Sequence, residues 1–129
     1  MSRIWVNGCF DVLHIGHIRL FEYAKSLGDW LRVGIDSDYR IKSNKGENRP
    51  INSWDVRLEF LMSLKYIDDV VVFSSDDELR LSVKDYAPKY MVVGEEYKDR
   101  EVIGHEYATN GVFYFKRVGD YSTSSVLGE

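Results

Sequence analysis

The chain has 129 residues, 44% hydrophobic and 14% aromatic, enough for one domain (1–129) with a real core. A net charge of −4 excludes holding nucleic acid by bulk electrostatics, although 17 basic residues could still gather in one cleft for a phosphate ligand. One cysteine, Cys9, excludes an internal disulfide, and no apolar run suits a signal peptide or membrane span, so the expectation is a cytoplasmic protein with no membrane partner.

In chain order, "RIWVN" (3–7) predicts a first strand, ended by Gly8. Residues 15–27 predict a helix, because Leu20, Phe21, Ala24 and Leu27 fall at helical spacing before Gly28-Asp29. "WLRVGID" (30–36) is the second strand, and 37–52 a polar, basic loop that could hold a helical turn. Ser53 caps a helix over 54–66, with Phe60, Leu61 and Leu64 on one face. "DVVVF" (69–73) is apolar enough for a central parallel strand. A helix over 77–86, a strand over 90–93 ending at Gly94, a helix over 100–109 and a strand over 112–118 follow. "YSTSSVLGE" (121–129) starts a last short helix. This alternation predicts an open parallel five-stranded α/β sheet with helices on both faces. Ligands then bind at the carboxyl ends of the strands, near a topological switch.

The unusual segments lie at those ends. In "GCFDVLHIGH", Gly8 allows a sharp turn and close ligand approach. The helix after it offers unpaired N–H groups to an anion. His14 stands just outside that helix, His17 on its inward face, and Gly16 leaves space beside both. The pattern points to a phosphate flanked by two imidazoles. A buried core histidine is the plain alternative. A metal site from Cys9, His14, His17 and His105 is weaker, because His105 belongs to another loop. The G-x-G-x-x-G of a dinucleotide fold is absent. Lys42, Lys45 and Arg49 form a basic loop over the same sheet edge, a candidate lid on phosphates. Arg57 falls in line with Phe60, Leu61 and Leu64, so it needs an anionic or carbonyl partner, whether ligand or protein. Arg117 and "GDYSTSS" make a second anion cradle at a helix start.

"GCFDVLHIGHIRLFEYAKSLGD" resembles the H-x-G-H segment of the cytidylyltransferase-like nucleotidylyltransferases, and "YSTSS" resembles their C-terminal S-T-S/T motif. The likeness covers 3–127 and implies a Rossmann-like fold. It also implies transfer of a nucleoside monophosphate from a triphosphate to a phosphorylated small molecule, with Mg²⁺ bound to the nucleotide and a homodimeric assembly. By resemblance, His14, His17, Lys45 and Arg117 are catalytic. Gly8, Cys9, Phe10, Gly94, Glu95, Glu96, Ser122 and Thr123 bind nucleotide with them, and Asp11, Lys45 and Arg57 meet the acceptor. Asp11 also lies near the metal. Two branches compete. "KGENRPIN" followed by Arg57 resembles the adenylyltransferase domain of ADP-heptose synthesis, which implies ATP and a heptose 1-phosphate. "VVGEEY" and "KRVGDYSTSS" resemble glycerol-3-phosphate cytidylyltransferase, and the expectation follows these to CTP with a polyol or sugar phosphate. A nucleotide-binding module without turnover is the reading from a different class.

Overall fold

A computed structural model describes residues 1–116. Strands β1 (Arg3–Gly8), β2 (Trp30–Asp36), β3 (Asp69–Phe73), β4 (Tyr90–Gly94) and β5 (Val112–Phe115) form one sheet in the order β3-β2-β1-β4-β5. Every pairing is parallel. Helices α1 (Ile15–Ser26), α2 (Asp38–Lys45), α3 (Trp54–Met62) and α4 (Asp76–Tyr86) connect the strands.

Alternation along the strands divides the core into two layers. Ile4, Val6, Leu31, Val33 and Val92 face Phe21 and Ala24 of α1 and Leu61 of α3. Trp5, Phe73 and Met91 face Leu79, Val83 and Tyr86 of α4 on the other side. Gly34 is small for a packing reason: a Cβ there would fall 2.6 Å from the Trp5 ring. The sheet is therefore doubly wound, as the alternation of elements required. The chain moves outward from β1 to β3 and then returns to β4 beside β1, which sets the switch point between β1 and β4. The register between these two strands pairs only Ile4 with Tyr90 and Trp5 with Met91. Both strands continue beyond it, to Gly8 and Gly94, so the sheet opens a crevice at their carboxyl ends.

Four expectations change. Strand β3 is an edge strand, not a central one, with Val72 exposed. Its apolar run reflects cover by α3 and α4, since Val70 packs in one layer and Val71 in the other. Residues 38–45, expected in a loop, form α2. Ser37 caps it by accepting from the Arg40 N–H at 3.2 Å, with Asp38 in its first turn and Lys42 and Lys45 in its last. Helix α3 ends at Met62, where the bonding tightens: the Leu64 N–H donates to the Leu61 carbonyl and the Ser63 hydroxyl to the Phe60 carbonyl, and Phe60 itself is exposed. The helix expected over 100–109 is a single 3-10 turn, His105–Tyr107. Gly104 has a φ of 88° and lies against Val83, while Val102 and Ile103 turn toward the α4 layer. The last expected helix, with Arg117, Ser122 and Thr123, lies outside the described residues.

Candidate active site

The loop between β1 and α1 carries the histidines. Phe10 takes a φ of 47°, a left-handed conformation that a bulky residue adopts only when its surroundings impose it. Its buried ring meets Phe21 at 5.0 Å and stands edge-on to the His17 ring at 5.3 Å, which braces that imidazole. A Cβ on Gly8 would fall 2.9 Å from the Phe10 ring, so the glycine is what lets this ring fold under the loop.

His14 and His17 cap α1 together. The Gly16 N–H donates to His14 Nδ1 at 3.1 Å, and the His14 N–H donates to His17 Nδ1 at 3.2 Å. This is the logic of a capping box with imidazoles as both acceptors. A nitrogen that accepts such a bond carries no proton, so the capping geometry assigns the ring N–H of both neutral imidazoles to Nε2. The rings stack with centroids 3.8 Å apart and a 24° angle between planes. Backbone capping thus orients a pair of Nε2–H donors at a helix mouth, where the dipole also favours an anion.

Lys45 ends α2 with its Nζ 3.4 Å from Cys9 Sγ, so the basic segment reaches the histidine loop from a helix end. Gly94, Glu95 and Glu96 follow β4 across the switch point in a 3-10 turn, Glu95–Tyr97, with both carboxylates exposed. The histidine loop and the Gly94 loop thus flank one crevice.

Asp11 and Arg57, expected to meet an acceptor, are both bonded to protein groups in this structure. The Asp11 side chain is fully buried. It accepts from Arg49 Nε at 2.8 Å and from the backbone N–H groups of Ile51 and Asn52 at 2.7 and 2.8 Å. Burial pushes its carboxyl up, but the Asn52 and Ile51 N–H groups and the Arg49 guanidinium outweigh this and hold it below the ordinary carboxylate range. Arg57, also buried, donates to the carbonyls of Asn52, Cys9 and Asp36 and to the Asp38 carboxylate. Both side chains tie the histidine loop to residues 36–57. Sequence reasoning identified Arg57 as inward-facing but could not choose between ligand and protein partners. It did not foresee Asp36, Asp38, Arg49 and Asn52 as the scaffold, since their roles depend on contacts 19 or more residues apart.

Among the described residues, no three His, Cys, Asp or Glu side chains gather to hold a metal ion. With Asp11 enclosed, these residues do not fit a protein-built magnesium site. His105 lies beside Glu106, with its Nε2 3.7 Å from that carboxylate. No described helix is long and apolar enough to cross a membrane.

The chain is similar to known proteins over most of its length. The chain is 42% identical over 128 residues to the bifunctional protein HldE of Campylobacter fetus, covering 99% of this chain and 28% of that protein. It is 44% identical over 124 residues to the bifunctional protein HldE of Helicobacter pylori, covering 96% and 26%. The chain thus spans about a quarter of the length of the curated relatives it matches. Among solved structures, a lipopolysaccharide core biosynthesis protein from Thermoplasma volcanium superposes with a TM-score of 0.73 at 26% identity, over 95% of this chain and 99% of that one. The family model described as cytidylyltransferase-like matches residues 5–125. That match leaves out only four residues at either end, and the chain belongs to the cytidylyltransferase-like family.

Proposed function

We propose that this chain transfers AMP from ATP to the phosphate of a sugar 1-phosphate of the heptose class, releasing pyrophosphate. The observation that carries the transfer chemistry is the stacked His14–His17 pair, with both Nδ1 atoms committed to the backbone of the helix mouth. An acceptor phosphate is already an anionic nucleophile, so the reaction needs alignment and charge stabilisation, not a general base. Nε2–H donors fixed before the substrate arrives stabilise charge on the α-phosphate and the departing pyrophosphate with little reorganisation. Lys45 adds a cation at the same loop, and Gly94, Glu95 and Glu96, in the turn after β4, are proposed to meet the nucleoside. Arg117, Ser122 and Thr123 are proposed to complete the triphosphate clamp.

Two observations support ATP over the CTP expected from "VVGEEY" and "YSTSS". "KGENRPIN" followed by Arg57 resembles the ADP-heptose branch. Relatives matched over nearly the whole chain include bifunctional HldE proteins, and a structural neighbour is named for lipopolysaccharide core biosynthesis. Pyrophosphate release should therefore be measured with the four nucleoside triphosphates against heptose 1-phosphate and glycerol 3-phosphate. ATP with heptose 1-phosphate should exceed CTP with either acceptor by at least about tenfold in kcat/KM, or roughly 1.4 kcal/mol of transition-state binding. A CTP preference with glycerol 3-phosphate would reverse the assignment. No pyrophosphate with any pair would return the domain to a non-catalytic nucleotide-binding module.

We further propose a homodimer. Val56, Phe60 and Met62 of α3 are exposed, as is Val72 on the adjoining edge strand β3. An edge strand beside an apolar helix face invites cover by another chain. Light scattering should give twice the 15.0 kDa of the chain, and Phe60→Glu should halve it. A monomeric parent protein at micromolar concentration would remove this proposal.

A further inference from the structure

The buried guanidinium of Arg57 bonds both to the loop between β1 and α1, read here as the phosphate loop, and to the junction of β2 and α2, just beyond the Gly8–Ile35 strand pair. Its Nη1 lies 3.0 Å from the carbonyl of Cys9 in the phosphate loop and 2.7 Å from the carbonyl of Asp36 at the end of β2. Its Nη2 lies 2.7 Å from the carboxylate of Asp38, the first residue of α2. Its Nε holds the Asn52 carbonyl at 3.0 Å. A guanidinium is planar and rigid, so acceptors bonded to it are held at fixed mutual distances. Beyond the last β1–β2 pair, Gly8 with Ile35, this side chain holds the phosphate loop and the start of α2 together.

What lies at the other end of α2 gives that tie a consequence. The helix has eight residues and is a rod of about 12 Å at 1.5 Å per residue. Asp38 begins it and Lys45 ends it. Ile41, buried between them, fixes the middle of the rod against the core. A helix pinned at its start and its middle has little freedom at its end, where Lys45 Nζ stands 3.4 Å from Cys9 Sγ. Cys9 is held at its carbonyl by the same Arg57 that holds Asp38. The loop and the lysine are thus referenced to one buried group.

We propose that Asp38, acting through Arg57, is a positioning residue for Lys45: it fixes the angle of α2 so that the lysine ammonium stands over the phosphate loop before nucleotide binds. The proposal rests on the reading of this site as a nucleotidyl-transfer centre in which Lys45 meets the triphosphate. A second anchor provides the contrast. Arg40 ties α2 to Asp36 and to Asp76 of α4, each at 2.7 Å, and neither of these bonds involves a residue of the loop between β1 and α1.

Arg57→Lys is the direct variant, but losing buried donors threatens the fold, so the more exposed Asp38 carries the test. The experiment compares kcat/KM for ATP in the parent protein, Asp38→Asn, Lys45→Met and the double variant. Asp38→Asn should lower kcat/KM on the order of tenfold when Lys45 is present, the scale of a modest misplacement of a reacting group. In the Lys45→Met background the same change should cost less than about twofold, because the group it positions is gone. Asp76→Asn should leave kcat/KM unchanged. Equal losses from Asp38→Asn in both backgrounds, parent-like turnover in Lys45→Met, or an equal loss in Asp76→Asn would each overturn the proposal. If the parent protein releases no pyrophosphate, the transfer reading fails, and amide exchange decides the positioning claim. Asp38→Asn should then speed exchange at Cys9 and Phe10 as well as within 38–45, and a change confined to 38–45 would overturn it.

Discussion

Replacing His14 by Asn or His17 by Gln should each lower kcat by about 10²-fold or more, the scale for losing one preorganised donor. The melting temperature should stay near that of the parent protein. The choice of substitution follows from the two jobs that each imidazole performs. His14 accepts from the Gly16 N–H, and asparagine is among the best residues at a helix N-cap. His17 accepts from the His14 N–H three residues back, a job that glutamine performs in a capping box. Neither replacement supplies an imidazole Nε2–H in the stacked position. The alanine variants should lose the same activity and also about 1 kcal/mol of stability through the cap. Steady-state pyrophosphate release and thermal melts on the four variants separate the two jobs. Parent-like turnover in both polar variants would remove the histidines from the reaction.

The second large effect concerns stability, with a pH signature. Asp11→Ala should cost about 3–5 kcal/mol, because it takes the carboxylate away from the buried Arg49 and from the Ile51 and Asn52 N–H groups at once. Asp11→Asn should cost less, since an amide oxygen still accepts from a backbone N–H but carries no charge for Arg49. The Asp11 carboxyl is held below its ordinary value of 3.8 in the folded protein. Its contribution is therefore complete above the unfolded value and is lost as the pH falls through the folded one. Urea midpoints should show a smaller drop in Asp11→Asn than in the parent protein as the pH is taken from about 5 down past 3.8. Parallel acid limbs in the two proteins would mean that Asp11 does not carry the effect.

Much of this molecule is legible in the chain. Strands and helices alternate, their apolar positions fall at periods of two and 3.6, and glycines punctuate the strand ends. These patterns reflect short-range geometry, so the parallel sheet and the residues at its carboxyl edge could be read directly. The glycine-bracketed histidine pair was equally visible, because His14, Gly16 and His17 lie within one helical turn and cap it locally.

The tertiary structure decided where long-range partners lay. "DVVVF" has the composition of a central strand, yet the topology puts it at the edge, because two covered faces demand the same residues as two flanking strands. Residues 38–45 carry one buried apolar side chain, too few for a periodic pattern, and their helix rests on a cap and on ties from Arg40 and Arg57. Arg57 falls on an inward face, where a charge needs a partner, and Asp11 is tied to an acceptor by the family resemblance. Composition states that need but not who meets it. Folding supplied backbone carbonyls, N–H groups and opposite charges from segments up to 48 residues away, which satisfied both side chains inside the protein and left the exposed edge of the crevice to His14, His17 and Lys45.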